Sequence, residues 1–439
     1  MRLQALRGTT DLLPDDVQRW AAVEQTAKRV SALYGYREIR TPVIEDAALF
    51  LRSIGETTDI IQKEMFRFED RGGHDIVLRP EGTASVVRAY LEHNLHKTEG
   101  FSKLLYLGPM FRAERPQAGR FRQFHQFGVE AIGSASPWVD VEAITLCAHI
   151  LRECGVIEIT VLLSSMGCRK DQAATAQLLR ESLDRTLLCK ECQGRFDRNI
   201  FRVVDCKNPK CNTLLNLTIA KLDAPRDAVA SRELRPRYRP ALFQLCDECL
   251  GHFDEVCRGL EAAGIRFDHK KVFARGLDYY TRTVFEVRAT GLGAQDAVAA
   301  GGRYDHLVEE LGGPSLGAFG FAAGIERLLM AARSQSGAVE TAPPRHGFYL
   351  ATVQPALAGE AFRLVQQLRG RGVSALMDYE GKSLKAQLRE ADKLGCRFMA
   401  VLGDAELKQR SINVKELEQG TQESVSLDAL VETVAQRTR

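Results

Sequence analysis

At 439 residues the chain exceeds the usual size of one domain, so two or three domains are expected. Its 45% hydrophobic and 27% charged residues are ordinary for a globular protein, and the net charge of +3 is too small to argue nucleic-acid binding alone. No apolar run approaches the roughly 20 residues that cross a bilayer, and the start MRLQALRGTTDLLPDD lacks the apolar core of a signal peptide, so a cytoplasmic location with no membrane partner is expected.

The RGTTDLLPDD segment reads as a loop rich in capping residues. A helix follows from about 15 to 34, with Trp20, Val23, Ala27, Val30 and Leu33 at near-helical spacing. YGYREIRTPVIED reads as a Gly turn, a strand and a second short apolar stretch. A helix from about Ala47 and the polar loop IGETTDIIQKE lead to two strands, FRFED and DIVLRPEGT, joined by an RGGH turn. ASVVRAYLEHNL reads as a helix, and LLYLGPMFRAE opens a hairpin that returns through RFRQFHQFGVEAIG. A helix over 138–154 and the strand IEITVLLSS follow.

Residues 168–240 change character, with many charges, several cysteines and weak periodicity, and read as an insertion. Lys and Arg outnumber Asp and Glu two to one over 187–240, which gives either a basic surface or a solvated face there. A helix at 247–263 leads to KKVFARGLDYYTRTVFEVRA, a strand with tyrosines at its centre, then GGRYD and a Gly-rich strand running into a helix. The predicted organisation is a core formed by 1–167 and 241–334, the Cys-rich basic insertion 168–240, a linker at 335–345, and a domain at 346–439. In the last, FYLATV, a helix at 355–370, VSALMDY, a helix at 383–394 and FMAVLG alternate as in an α/β fold with a partly parallel sheet.

Strand parity singles out the hairpin. Side chains alternate between the faces of a strand, so Arg122, Phe124, Gln126, Gly128 and Glu130 share one face, opposite Phe121, Gln123, His125, Phe127 and Val129. Arg112 and Glu114 share a face on the preceding strand. Cations, a ring, an amide and a carboxylate on one surface suit a ligand with a phosphate and a flat heterocycle, although a solvated hairpin with scattered arginines has the same composition. RPEGTA at 79–84 places Glu81 and Thr83 at a strand end, to receive an ammonium group or to cap a helix. In ARGLDYYTR at 274–282, Arg275 supplies donors for a phosphate, while Tyr279 and Tyr280 should face opposite ways on a strand. In GAFGFAAGIERLLMAA, Arg327 in a first helical turn opposes the helix dipole unless an anion lies nearby. There is no GxxxxGK[ST] and no GxGxxG at a strand–helix junction, so any ATP would be held by arginines.

Together these stretches resemble a class II aminoacyl-tRNA synthetase and, within the class, the histidyl enzymes. YGYREIRTPVIE, with Pro42, resembles the first class motif, FRAER with RFRQF the second and GFAAGIERL the third. RGLDYY and GGRYD are similar to two stretches peculiar to the histidyl group, and RGTTDLLP also matches. The resemblance implies an α+β catalytic domain with a mainly antiparallel sheet, a C-terminal α/β anticodon-binding domain, and a homodimer. It implies activation of L-histidine by ATP with Mg²⁺, then transfer to tRNA(His). Arg112, Arg275 and Arg327 would be the catalytic cations, and Glu114 and Phe124 would join them around ATP. Glu81, Gly82, Thr83, Gln126, Glu130, Tyr279, Tyr280 and Tyr304 would surround histidine. Arg115 and Gln117 would touch the tRNA acceptor end, and Lys382, Lys385, Arg389 and Lys393 either meet phosphates or form a charged helix face. Two other readings compete: a non-catalytic relative that serves as a regulatory subunit of ATP phosphoribosyltransferase, and a synthetase for another small amino acid. The retained arginines and the C-terminal domain oppose the first, and Glu130 with RGLDYY opposes the second.

Eleven cysteines in a chain with no secretion signal argue against a disulfide framework. CKEC (189–192), CKNPKC (206–211) and CDEC (246–249) have metal-ligand spacing. Four of the six suit a structural Zn²⁺, or all six are reduced, partly buried thiols. No metal is placed among the catalytic residues.

Overall fold

A computed structural model describes residues 3–55, 58, 60–117, 119–204, 206, 208–222 (without the side chain of 220), 237–238, 240, 243–269, 278–293, 296–335 and 345–438. The chain divides into two compact units, Met1–Ala338 and Val339–Arg439.

The first unit opens with the helix Pro14–Leu33, whose buried Val23, Ala27 and Val30 recur at helical spacing. Strands β1 (Arg37–Glu38), β2 (Ile44–Asp46), β3 (Phe66–Glu69) and β4 (Asp75–Leu78) follow. The long hairpin is β5 (Ser102–Phe111) and β6 (Gln123–Ile132), paired from Phe111↔Gln123 at the tip to Ser102↔Ile132 at the base. Then come β7 (Ile159–Ser165), β8 (Phe267–Asp268), β9 (Thr281–Ala289), β10 (Ala297–Arg303) and β11 (Ala318–Gly324).

Eight of these strands form one sheet in the order β1-β5-β6-β11-β10-β9-β7-β8, antiparallel except for the edge pairs β1–β5 and β7–β8. Sequence-distant β6 and β11 therefore lie side by side, with Gln126 opposite Gly324 and Glu130 opposite Gly320. β2, β4 and β3 make a separate three-stranded sheet.

The two faces of the large sheet are covered differently. Phe127, Val129 and Ala131 pack with the helices Pro137–Glu153 and Asp247–Ala262 in one core. Tyr106, Ile132, Tyr279, Tyr280 and Tyr304 lie in a second core shared with Leu188, Cys192, Ile200, Val203, Cys211 and Leu215. The segment read as an insertion thus contributes apolar side chains to the face that carries Glu130. Its described part is helical, at Arg169–Ser182, Lys190–Arg198, Phe201–Val204 and Pro209–Leu222, a regularity that its high charge masks in the sequence.

The tyrosine stretch also differs from the strand expected of it. β9 starts only at Thr281, and Asp278 and Tyr279 lie in a turn before it. Alternation does not apply there, so the rings of Tyr279 and Tyr280 meet edge-to-face at 4.9 Å instead of facing opposite ways.

Arg303, at the end of β10, is fully buried. Its five N–H donors are all engaged, by four acceptor atoms: Asp140 Oδ1 from Nε at 3.1 Å and again from Nη2, Ser134 O at 2.9 Å and Asp305 at 3.1 Å from Nη1, and Ser136 O at 2.9 Å from Nη2. His252 meets the other Asp140 oxygen at 2.8 Å. Burial pushes the Asp140 carboxyl up, but Arg303 and His252 outweigh it and hold it below the usual carboxylate range.

The second unit holds β12 (Phe348–Thr352), β13 (Ala375–Met377), β14 (Phe398–Leu402), β15 (Ser411–Glu416) and β16 (Gln422–Ser426) in the order β13-β12-β14-β15-β16. β12 pairs in parallel with β13 and β14, and the other two pairings are antiparallel. The helices Ala358–Gly370 and Leu384–Lys393 lie close to the expected positions.

Arg303→Met should leave Asp140 buried without its cation and destabilise the first unit by ~3–5 kcal/mol. Urea unfolding of the two proteins measures it, and a loss below ~1 kcal/mol would count against the pairing as a main strut.

Candidate active site

The face of β6 selected by parity carries two adjoining features. Towards the hairpin tip lies a cleft of about 230 Å³, lined by Arg112, Glu114, Phe124 and Gln126 on one side and by Ala297–Ala300, Ala322, Glu326 and Arg327 on the other. Further along the same face lies a buried polar cluster centred on Glu130.

In the cleft, the Arg112 guanidinium stands 5.2 Å over the Phe124 ring, and its Nε donates to Pro80 O at 3.0 Å. Glu114 accepts from Arg120 Nη1 at 3.0 Å. Arg327 falls in the first turn of the helix Ile325–Gln335, as the sequence predicts. Burial lowers its proton affinity and the charge of Arg120 adds to that, while Asp296, Glu286 and Glu114 oppose it. Neighbouring Glu326 accepts the His125 N–H at 2.8 Å, tying this helix to the hairpin. Gln126 Oε1 is buried with no hydrogen-bond partner among the described residues. An orphaned acceptor beside two guanidiniums is what a site built for a polar ligand leaves when that ligand is absent.

In the polar cluster, Glu130 is fully buried. Its Oε1 accepts the Thr83 hydroxyl at 2.6 Å and its Oε2 accepts the Tyr304 hydroxyl. A Cβ built on Gly320 would lie 1.9 Å from Glu130 Oε2, so the strand beside it has room for nothing larger than glycine. Burial pushes the Glu130 carboxyl up to about 8; the two hydroxyls oppose this only in part and the Glu81 charge adds to it. Tyr279 packs against Tyr304 at 5.8 Å, which brings three of the expected tyrosines together.

Glu81 caps a helix start. Its oxygens accept the backbone N–H groups of Thr83 at 2.7 Å and Ala84 at 2.9 Å, satisfying donors at the start of the helix Thr83–Glu92. Gly82 makes room for Tyr106, whose ring would lie 2.3 Å from a Cβ there. Arg115 and Gln117 are exposed at the hairpin tip. Arg275 lies outside the described residues. Lys382 is engaged by Glu390 at 3.0 Å and Glu380 at 3.3 Å, whereas Lys385, Arg389 and Lys393 are exposed along the second unit's helix.

Two contributors escape a reading of the sequence. Tyr106 is buried in the same cluster, with its ring lying where Cβ atoms on Gly82 and Gly128 would have to be, yet LLYLGPM reads as an ordinary apolar strand. Asp278 of the RGLDYY stretch is held by Asn199 Nδ2 at 3.1 Å and Arg202 Nη2 at 2.9 Å, both from the insertion. Only the fold brings these partners together.

The sequence model of the histidyl-tRNA synthetase family matches residues 8–328, and that of the anticodon-binding domain matches 348–437. The chain belongs to the histidyl-tRNA synthetase family. It is 44% identical to the histidine–tRNA ligase of Desulforamulus reducens, over 98% of this chain and 99% of the other. It is 41% identical to that of Syntrophotalea carbinolica, over 100% of both. Among solved structures it is similar to an apo histidyl-tRNA synthetase from S. aureus, with a TM-score of 0.78 and 32% identity, covering 99% of this chain and 100% of that one.

The Glu130 carboxyl binds its proton far more tightly in the folded chain than in the unfolded one, whose pKa is near 4.5. Its contribution to stability is therefore present below about pH 4.5 and is lost as the pH rises through about 8. Compared with Glu130→Gln, the unliganded wild type should lose stability on the order of a few kcal/mol more across that interval. Paired urea titrations at several pH values measure it, and parallel pH dependences would contradict the assigned proton.

Proposed function

We propose that this chain is a histidine–tRNA ligase that activates L-histidine with ATP, releasing pyrophosphate, and then passes the histidyl group to the 3′-terminal ribose of tRNA(His). Full-length similarity to histidine–tRNA ligases carries the reaction class. The opposed cations Arg112 and Arg327 in one cleft, beside the orphaned Gln126, carry the assignment of the site.

In this reading ATP occupies the cleft, with its adenine against Phe124 and its α-phosphate between Arg112 and Arg327. Arg275 adds a third cation, and Glu114 belongs to the ATP side. Attack of the histidine carboxylate on the α-phosphorus needs alignment and charge stabilisation more than a protein nucleophile. Glu114 and Glu326 in the cleft would supply oxygen donors to a Mg²⁺ ion, which would neutralise further phosphate charge.

Histidine lies towards Glu130, its ammonium group near Glu81, Thr83 and Gln126 and its imidazole among Glu130, Tyr279, Tyr280 and Tyr304. Neutral imidazole has one donor and one acceptor. Glu130, giving up its proton as histidine binds, accepts the N–H in exchange for one of its hydroxyl partners, while a tyrosine hydroxyl donates to the other ring nitrogen. An amino acid lacking that N–H would displace one hydroxyl partner of the buried carboxyl without replacing it, which is a strong ground for rejection. Arg115 and Gln117 at the exposed hairpin tip reach the tRNA acceptor end, and the stripe Lys385, Arg389, Lys393 serves tRNA phosphates.

The division into a core (1–167 and 241–334), an insertion (168–240), a linker (335–345) and an anticodon-binding domain (346–439) belongs to the same proposal, as do a cytoplasmic location and a homodimer built through the first class motif. Exposed Ile44 and Phe68 on the three-stranded sheet support that dimer.

Amino-acid-dependent exchange of pyrophosphate into ATP, run with all twenty amino acids, should respond to histidine alone. Exchange with another amino acid would sink the specificity, and exchange with none would leave the non-catalytic relative as the reading. Arg112→Ala, Arg275→Ala and Arg327→Ala should each fold normally and lower the exchange rate by ~10²–10³.

A further inference from the structure

Of the three cysteine pairs with metal-ligand spacing, only two come together. The sulfurs of Cys189, Cys192, Cys206 and Cys211 all lie within 4.8 Å of one another. Cys189 and Cys206 are 3.9 Å apart, and all four thiols are free. A disulfide needs ~2.05 Å, so this is not a pair of bridges awaiting description. Four sulfurs on a tetrahedron with ~2.3 Å metal–sulfur bonds stand ~3.8 Å apart, close to the Cys189–Cys206 separation and within the 4.8 Å that bounds the other pairs.

The surroundings fit thiolates as well as the spacing does. Cys189 begins the helix Lys190–Arg198 and Cys192 falls in its first turn. The Cys189 N–H donates to Cys211 Sγ at 3.2 Å, and the Asn208 N–H donates to Cys206 Sγ at 3.4 Å. Backbone donors aimed at sulfur stabilise its charged form and orient it. Cys192 and Cys211 are fully buried.

The third pair belongs elsewhere. Cys246 and Cys249 gather with Cys168 and Asp171, but the Asp171 carboxylate already accepts the backbone N–H groups of Cys168 at 3.1 Å and Cys246 at 2.9 Å. That carboxylate ties two helix starts together, and Cys246 is exposed. The first cluster has four equivalent soft donors and no competing task.

We propose that Cys189, Cys192, Cys206 and Cys211 bind one structural Zn²⁺, which fixes the 199–202 segment where Asn199 and Arg202 hold Asp278. Between the two pairs of ligands lie both Asp278 partners, Asn199 at the end of the helix Lys190–Arg198 and Arg202 in the helix Phe201–Val204. Cross-linking the two flanks of that segment shortens the loop the chain must order and holds Asp278 beside Tyr279 and Tyr280. The cation is a positioning element and takes no part in chemistry. Four thiolates suit Zn²⁺, whose filled d shell keeps the site closed and redox-silent.

Elemental analysis of the full chain, purified with a thiol reductant, should find one zinc per chain and none in Cys192→Ser/Cys211→Ser, while Cys249→Ser keeps its zinc. X-ray absorption at the zinc edge of the wild type should give four sulfurs at ~2.3 Å and no oxygen, a readout that does not depend on a variant folding. Removing the metal with a chelator should speed amide exchange at 199–202 and 278–280. A chain that carries no zinc and takes none up, iron in its place, an oxygen in the first shell, or unchanged zinc in the double variant would each overturn the assignment. These measurements read metal and backbone only, so their outcome is separate from that of the ligase activity.

Discussion

A carboxylate placed where water cannot reach it either finds a cation, takes a proton, or is wrapped in donors. Glu130 lies in the middle of an eight-stranded sheet with two hydroxyls for partners and, among the described residues, no cation in hydrogen-bond contact. Much of the surrounding construction follows from accommodating it. Gly320 leaves space on β11, Thr83 is delivered by a helix whose start Glu81 caps, and Tyr304 comes from the end of β10 beside Arg303. Arg303 in turn is pinned by Asp140 and two carbonyls, so the donor on one side of the site is anchored by a pair on the other side of the sheet.

The two halves of this face use polarity in opposite ways. Around Glu130, polar atoms are paired with one another, in a surrounding of aromatic rings. In the cleft, Gln126 keeps an unpaired acceptor and the charges of Arg120 and Arg327 oppose each other. The first arrangement is complete without a ligand and demands a partner that can exchange hydrogen bonds one for one. The second leaves one buried acceptor open to a donor and sets the guanidiniums of Arg112, Arg120 and Arg327 around the same cleft, where an anion is favoured. A neutral heterocycle on one side and a phosphate on the other is the combination both conditions favour.

How much of this was legible in the sequence depended on whether local periodicity carried the information. The alternation from Phe124 to Glu130 placed Phe124, Gln126 and Glu130 together because an extended strand has a fixed period of two; ahead of β6, which starts at Gln123, it did not hold, and Phe121 lines the cleft in place of Arg122. The same rule failed at Tyr279 and Tyr280, where the chain turns before β9 begins and the alternation has no meaning. Glu81 was readable only as a choice between capping and ligand binding, since a carboxylate at a helix start serves either. Tyr106 and the Asn199–Asp278 contact were invisible, because neither glycine next to that ring nor the partner across the insertion is near in sequence. The helices of 168–222 were obscured by a charge density that hides their apolar faces.

Gly320 has a consequence that reaches past this one molecule. Its missing side chain is occupied by the Glu130 carboxyl, so neither position can vary alone: a larger residue at 320 collides with the acid, and a smaller residue at 130 leaves a void lined by hydroxyls. Drift elsewhere in the sheet can be gradual, but a lineage that changed either of these two residues would have to alter both together. The glycine thus acts as a ratchet that keeps the acid in place.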